Sequence, residues 1–158
     1  MTAAEKLLDF LAPQLGQETH VGPWLRIDQQ RIDQFAAVTG DVQWIHTDPQ
    51  RAASESPYGS TVAHGYLTLS LLPYLTESNH PDFFRKNYPG MKYRVNYGLN
   101  KLRFPAPVKV GASIRARTQL LSAEAVGEGV QIVYLITVEI DGVAKPACVA
   151  EFVARVYP

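Results

Sequence analysis

The chain has 158 residues, with 15 Lys plus Arg against 15 Asp plus Glu. This length suits one domain, residues 1–158, that buries a core without disulfide or metal staples. The balanced charge lacks the basic excess of a nucleic-acid or anionic-membrane binder, which leaves a neutral partner or one with localised charge. Cys148 is the single cysteine and lies in an apolar segment, so it reads as a small core residue in a reducing compartment. No cysteine–histidine spacing suggests zinc. No apolar run approaches the ~20 residues of a membrane span. The opening MTAAEKLLDFLAPQLG is interrupted by Glu5 and Asp9, unlike a signal peptide. The expected location is cytoplasmic.

The first element predicted is a helix over about residues 3 to 12, ending before Pro13, followed by an extended segment in Val21 to Asp28. QRIDQFAAVTG then carries Ile32, Phe35, Ala36 and Val38 at helical spacing, with Gly40 placed to end the helix in a left-handed cap. Asp41 leaves that helix at a turn. Thr47 or Asp48, followed by Pro49, reads as the start of a further helix, with His46 immediately before it. Asp41 and His46 are five positions apart, which on one helix would separate them by about 140°. Only the connection between two helices can bring them together.

Ala63 to Ser78 has leucines on all sides of a helix, the pattern of a buried one, and Pro73 should kink it or end its first segment. Residues 79 to 91, with their prolines and aromatics, read as a loop. Strands are predicted at about 92 to 104, 112 to 124, 129 to 140 and 145 to 157. In SIRARTQL, apolar and polar residues alternate as on a sheet with one wet face, and Asp141-Gly142 marks a tight hairpin. A buried helix followed by long antiparallel strands implies an α+β domain whose sheet wraps the helix.

In that layout, Gly40-Asp41, His46, Asp48-Pro49 and Ala63-His64-Gly65 resemble the hydratase 2 motif of the MaoC-like dehydratases, the (R)-specific enoyl-CoA hydratases. NYGLNKLRFPAPVKVG, Asn96 to Gly111, resembles the strand segment that follows in that family. The resemblance runs from about Gln30 to the C-terminus. It implies a hot-dog fold, a homodimer with a continuous sheet, and reversible hydration of trans-2-enoyl-CoA to (3R)-hydroxyacyl-CoA. By position, Asp41 and His46 match the catalytic pair, and Gly65 matches the backbone donor to the thioester oxygen. The chain departs from the family pattern at Gln43-Trp44, where asparagine and proline are common.

Hydration of a conjugated thioester needs a water deprotonated as it attacks C3, a proton delivered to C2, and a donor for the charge that builds on the thioester oxygen. A carboxylate and an imidazole sharing one water manage both proton transfers, and a backbone N–H at a helix start serves the oxygen. No metal or redox cofactor is expected; coenzyme A enters as part of the substrate. Trp44, Leu69 and Pro73 are expected to line the acyl pocket, and the aromatics of residues 83 to 93 either pack or cover an acyl tunnel. His64 is read as a packing or hydrogen-bonding residue. The alternatives are an acyl-CoA thioesterase, which uses a carboxylate and a helix-start donor on a related fold, and a non-catalytic acyl-binding protein. Taken singly, without the motif, Asp41 reads rather as a solvated turn residue and His46 as a hydrogen-bonded helix flank, and Gly65 is open to reading as a packing glycine.

Overall fold

Alternating burial along the C-terminal half makes one broad antiparallel sheet. The computed structural model describes residues Met1–Pro158. Four long strands, β3 (Tyr93–Arg103), β4 (Ser113–Val126), β5 (Gly129–Ile140) and β6 (Val143–Tyr157), join two short ones, β1 (Glu18–Val21) and β2 (Leu25–Arg26). The order is β1-β4-β5-β6-β3, with β2 also pairing β4. In β4, Ile114, Ala116, Thr118 and Leu120 are buried while Arg115, Arg117 and Gln119 are half-buried, as the alternation predicts. Asp141 and Gly142 form the two-residue turn between β5 and β6, and Gly142 takes a φ of 73°.

The helices are α1 (Ala3–Leu11), α2 (Gln29–Thr39), α3 (Trp44–Thr47), α4 (Pro49–Glu55), α5 (Gly65–Ser70), α6 (Leu72–Leu75) and α7 (Pro81–Asn87). The larger core packs Leu67, Leu72 and Leu75 of α5 and α6 against Ile114 and Ala116 of β4 and Ala147, Cys148 and Ala150 of β6. Burial pushes the Cys148 thiol up to about 11. Gly22 brings the chain so close to this layer that a Cβ there would fall 1.9 Å from the Leu75 carbonyl oxygen. A smaller core joins Leu7 and Leu11 of α1 with Tyr88, Leu120, Val130, Ile132 and Val156.

Three local expectations are corrected. Residues 79 to 91 are not all loop, because α7 forms within them. Pro81 stands in its first turn, where the missing N–H costs nothing, and Asp82 and the Arg85-Lys86 pair suit its two ends. The central helix is divided near Pro73 as expected, with Leu71 between α5 and α6. It is, however, buried on one side only, since Tyr66 is 66% and Tyr74 46% exposed. Finally, His46 does not merely precede a helix but lies within the single turn of α3.

Candidate active site

The segment that carries the site is shaped by caps. Asp28 accepts the Arg31 N–H at the start of α2, and Gly40 ends that helix with φ 80°. Asp41 follows with an exposed side chain. The carbonyl of Gln43 then receives the N–H groups of His46 and Thr47 and the Thr47 hydroxyl. Asp48 caps α4 by accepting the Arg51 N–H at 3.0 Å, with Pro49 as its first residue. The turn required by the five-residue separation is thus a helical turn, α3, wedged between two capped helices.

His46 is 8% exposed, and its Nδ1 lies 2.6 Å from the Val62 carbonyl oxygen. A carbonyl only accepts, so Nδ1 carries the proton and donates, which leaves Nε2 of the neutral ring with a free lone pair. Gln29 donates to the His46 carbonyl at 2.7 Å and to Asp33 at 2.8 Å, while the Thr61 hydroxyl donates to the Gln29 amide oxygen at 2.5 Å. The backbone of α3 is therefore tied to α2 by one half-buried amide. Sequence reading missed Gln29 and Thr61, because their partners lie 17 and 32 positions away and no local pattern marks them.

His64 is 4% exposed, stacks on the His46 ring at 3.8 Å between centroids and 23° between planes, and meets Phe35 edge-on at 5.0 Å. Its Nε2 donates to the Asp41 backbone carbonyl at 2.9 Å. This is the packing and hydrogen-bonding role read from the sequence, placed where it pins the turn. A carboxylate oxygen of Asp41 and a ring nitrogen of each histidine all lie within 4.8 Å of one another.

Gly65 opens α5, so its N–H has no acceptor in a preceding helical turn. A Cβ here would meet the Phe104 ring at 2.9 Å. Tyr66 touches the same ring edge-on at 6.0 Å. One turn further along the same helix face, Leu69 begins the lining of a cavity of about 1020 Å³ that continues past Pro73 to Phe83, Phe84, Tyr88 and Arg94. Leu69 and Pro73 thus share a cavity with the aromatics of α7. Trp44 is not in its lining; its ring sits 4.2 Å beneath the Arg51 guanidinium, over α4. Gln43 is exposed and its side chain caps nothing.

The sheet wrapped on a central helix, with an acid–base cluster beside that helix's first residue, is a hot-dog protein with the layout of a hydratase. A model of the MaoC-like domain matches residues 11–141, and the chain belongs to the MaoC-like dehydratase family, a family of hydratase and dehydratase enzymes. It is 46% identical over 156 residues to 3-hydroxyacyl-thioester dehydratase Z of Mycobacterium tuberculosis, covering 98% of each chain. It is 42% identical over 140 residues to nodulation protein N of Rhizobium leguminosarum, covering 88% of this chain and 84% of that one. Among solved structures, the monoamine oxidase regulatory protein of an Archaeoglobus species superposes with a TM-score of 0.74 at 22% identity over 90% of each chain, a likeness of fold. The (R)-hydratase of A. caviae superposes with a TM-score of 0.62 at 25% identity, over 90% of this chain and 99% of that one.

Proposed function

We propose that this enzyme hydrates trans-2-enoyl-CoA reversibly to (3R)-hydroxyacyl-CoA. The observation that carries the reading is the meeting of the Asp41 carboxylate and the His46 ring within 4.8 Å, with the His46 Nδ1 proton already committed to Val62. Asp41 and the free His46 Nε2 hold one water between them. As its oxygen bonds to C3, the pair takes a proton from the water, and a proton passes to C2 as the enolate collapses. The pair acts as a unit, and the proton inventory belongs to both groups together. The Gly65 N–H serves the thioester oxygen as charge builds on it. The acyl chain follows the α5 face from Gly65 to Leu69 and Pro73. These steps balance without a metal or redox cofactor. Names of relatives support the reading: one is a 3-hydroxyacyl-thioester dehydratase and another an (R)-hydratase.

The deciding assay supplies a short trans-2-enoyl-CoA and follows both the conjugated-enoyl absorbance and free thiol. The expected result is loss of absorbance, no thiol release and an R-configured 3-hydroxyacyl product. Thiol release would favour a thioesterase, and neither change would favour a binding protein.

The same reading includes a homodimer joined through β3. That strand ends the sheet order, runs 11 residues without proline, and leaves one backbone edge unpaired. Phe104, which directly follows it, and Tyr66, which meets the Phe104 ring, lie exposed. Sedimentation equilibrium should return twice the 17.5 kDa chain mass; a monomer at micromolar concentration would remove the dimer from the proposal.

A further inference from the structure

The cavity beyond Leu69 mixes apolar walls, Leu69, Leu72, Ile136 and Phe152 among them, with polar side chains, and at one place carries hydrogen-bond donors with nothing to receive them. Arg94 of β3 points into it, with its guanidinium 5.2 Å from the Phe152 ring, 5.7 Å from Phe84 and 6.0 Å from Tyr88. Its Nε is buried and has no partner. It takes part in none of the ion pairs of the chain. The two carboxylates on the cavity rim are engaged elsewhere, Glu77 with His20 at 2.7 Å and Asp82 with Arg85.

Tyr88 and Tyr134 reach the same place, joined hydroxyl to hydroxyl at 2.6 Å. One O–H is used in that bond, and the other has no acceptor. Burial raises both phenols while the nearby Arg94 charge opposes the rise, so both keep their protons at neutral pH and remain donors. A spare phenol proton and a guanidinium therefore converge with no oxygen to bond. Aromatic faces alone surround this half-buried cation, with no acceptor for its buried Nε–H, and an anionic oxygen group would take that donor and the spare phenol proton together.

We propose that this cavity selects acyl chains whose far end carries a carboxylate, with Arg94, Tyr88 and Tyr134 as the residues that read it. The inference rests on the enoyl-thioester reading above, which places the reacting end at Gly65 and sends the chain along the α5 face into the cavity. Edge pairing through β3 leaves the arrangement intact, because Arg94 and Asn96 point inward to the cavity while the strand edge pairs through its backbone.

The test compares trans-2-dodecenoyl-CoA with its ω-carboxy counterpart, using wild type, Arg94→Met and Tyr134→Phe. Methionine keeps most of the contact with the rings and removes the charge and donors. The wild type should favour the carboxylated chain in kcat/KM. Arg94→Met should lower that ratio about tenfold to a hundredfold, the usual worth of a charged hydrogen bond. Turnover of the plain chain should be retained, and Tyr134→Phe should act in the same direction by less. No preference in the wild type, or an equal fall for both chains in Arg94→Met, would overturn the proposal. A second arm, independent of turnover, titrates dodecanoate and dodecanol calorimetrically. Tighter binding of dodecanoate that Arg94→Met removes is expected, and equal binding would overturn the proposal. If no enoyl thioester is turned over, the activity reading fails while this arm still decides whether the donors take a carboxylate. Preference for free dodecanoate together with indifference to the ω-carboxy thioester would assign the site to a separate ligand and overturn the specificity role.

Discussion

Asp41→Asn is expected to cut hydration turnover by about 10² to 10⁴, the range one well-placed acid–base group supplies. The fold should not register the change. The Asp41 side chain is exposed, and what ties this residue to the protein is its backbone carbonyl, which His64 holds at 2.9 Å and which asparagine keeps. His46→Gln should fall as far in turnover but with some loss of stability, because it gives up the ring stacked on His64 and the 2.6 Å bond to Val62. Turnover should therefore be divided by the folded fraction, measured by thermal unfolding. If the two groups share one water, as proposed, the double variant should be no worse than the poorer single one, instead of losing the product of both. Near-normal turnover in either folded single variant would show that the pair is not the acid–base machinery. Multiplying losses in the double variant would show that the two groups act on separate steps.

Gly65→Ala should lower kcat by about 10² to 10³, the loss typical of one oxyanion donor, with a smaller change in KM. Alanine suffices because the position is already tight, with the Phe104 ring 2.9 Å from where the Cβ would stand. The same contact supplies the competing explanation, that glycine is present only to let Phe104 pack. Phe104→Leu, alone and combined with Gly65→Ala, separates the two. If the methyl group keeps the thioester from the Gly65 N–H, relieving the ring clash restores the melting temperature and leaves kcat low. If packing is the whole reason, the double variant regains the kcat of Phe104→Leu, and the oxyanion role is lost.

The sequence carried its clearest information where one residue type meets one local requirement. Gly40 reads as a left-handed cap and takes φ 80°, and Asp48-Pro49 reads as a helix start and is one. The two-residue period of SIRARTQL becomes the buried and half-buried alternation of β4. The same local rules misread residues 79 to 91, because proline signals both a loop and a first helical turn, and only the flanking charges and caps distinguish them. They also treated Trp44 as a wall of the acyl pocket from its neighbourhood in sequence. The structure sets that ring under Arg51 and outside the lining of the cavity beyond Leu69, and chain proximity says nothing of which way a side chain leaves a one-turn helix.

By itself, then, the sequence determined the four long strands and their hairpin, the ends of α2 and α4, the spaced Asp41, His46 and Gly65, and with them the family, but neither α3 nor α7. Each depends on backbone preferences and periodicities that act over a few residues. Tertiary structure alone decided that the Gln29 amide would bind α3 to Thr61, that His64 would stack on His46 and hold the Asp41 carbonyl, and that Phe104 would close over Gly65. It also gathered Arg94, Tyr88 and Tyr134 at one cavity from β3, the end of α7 and β5. Those contacts join residues tens of positions apart, and their geometry follows from how the helices seat on the sheet, for which a single sequence has no local signal.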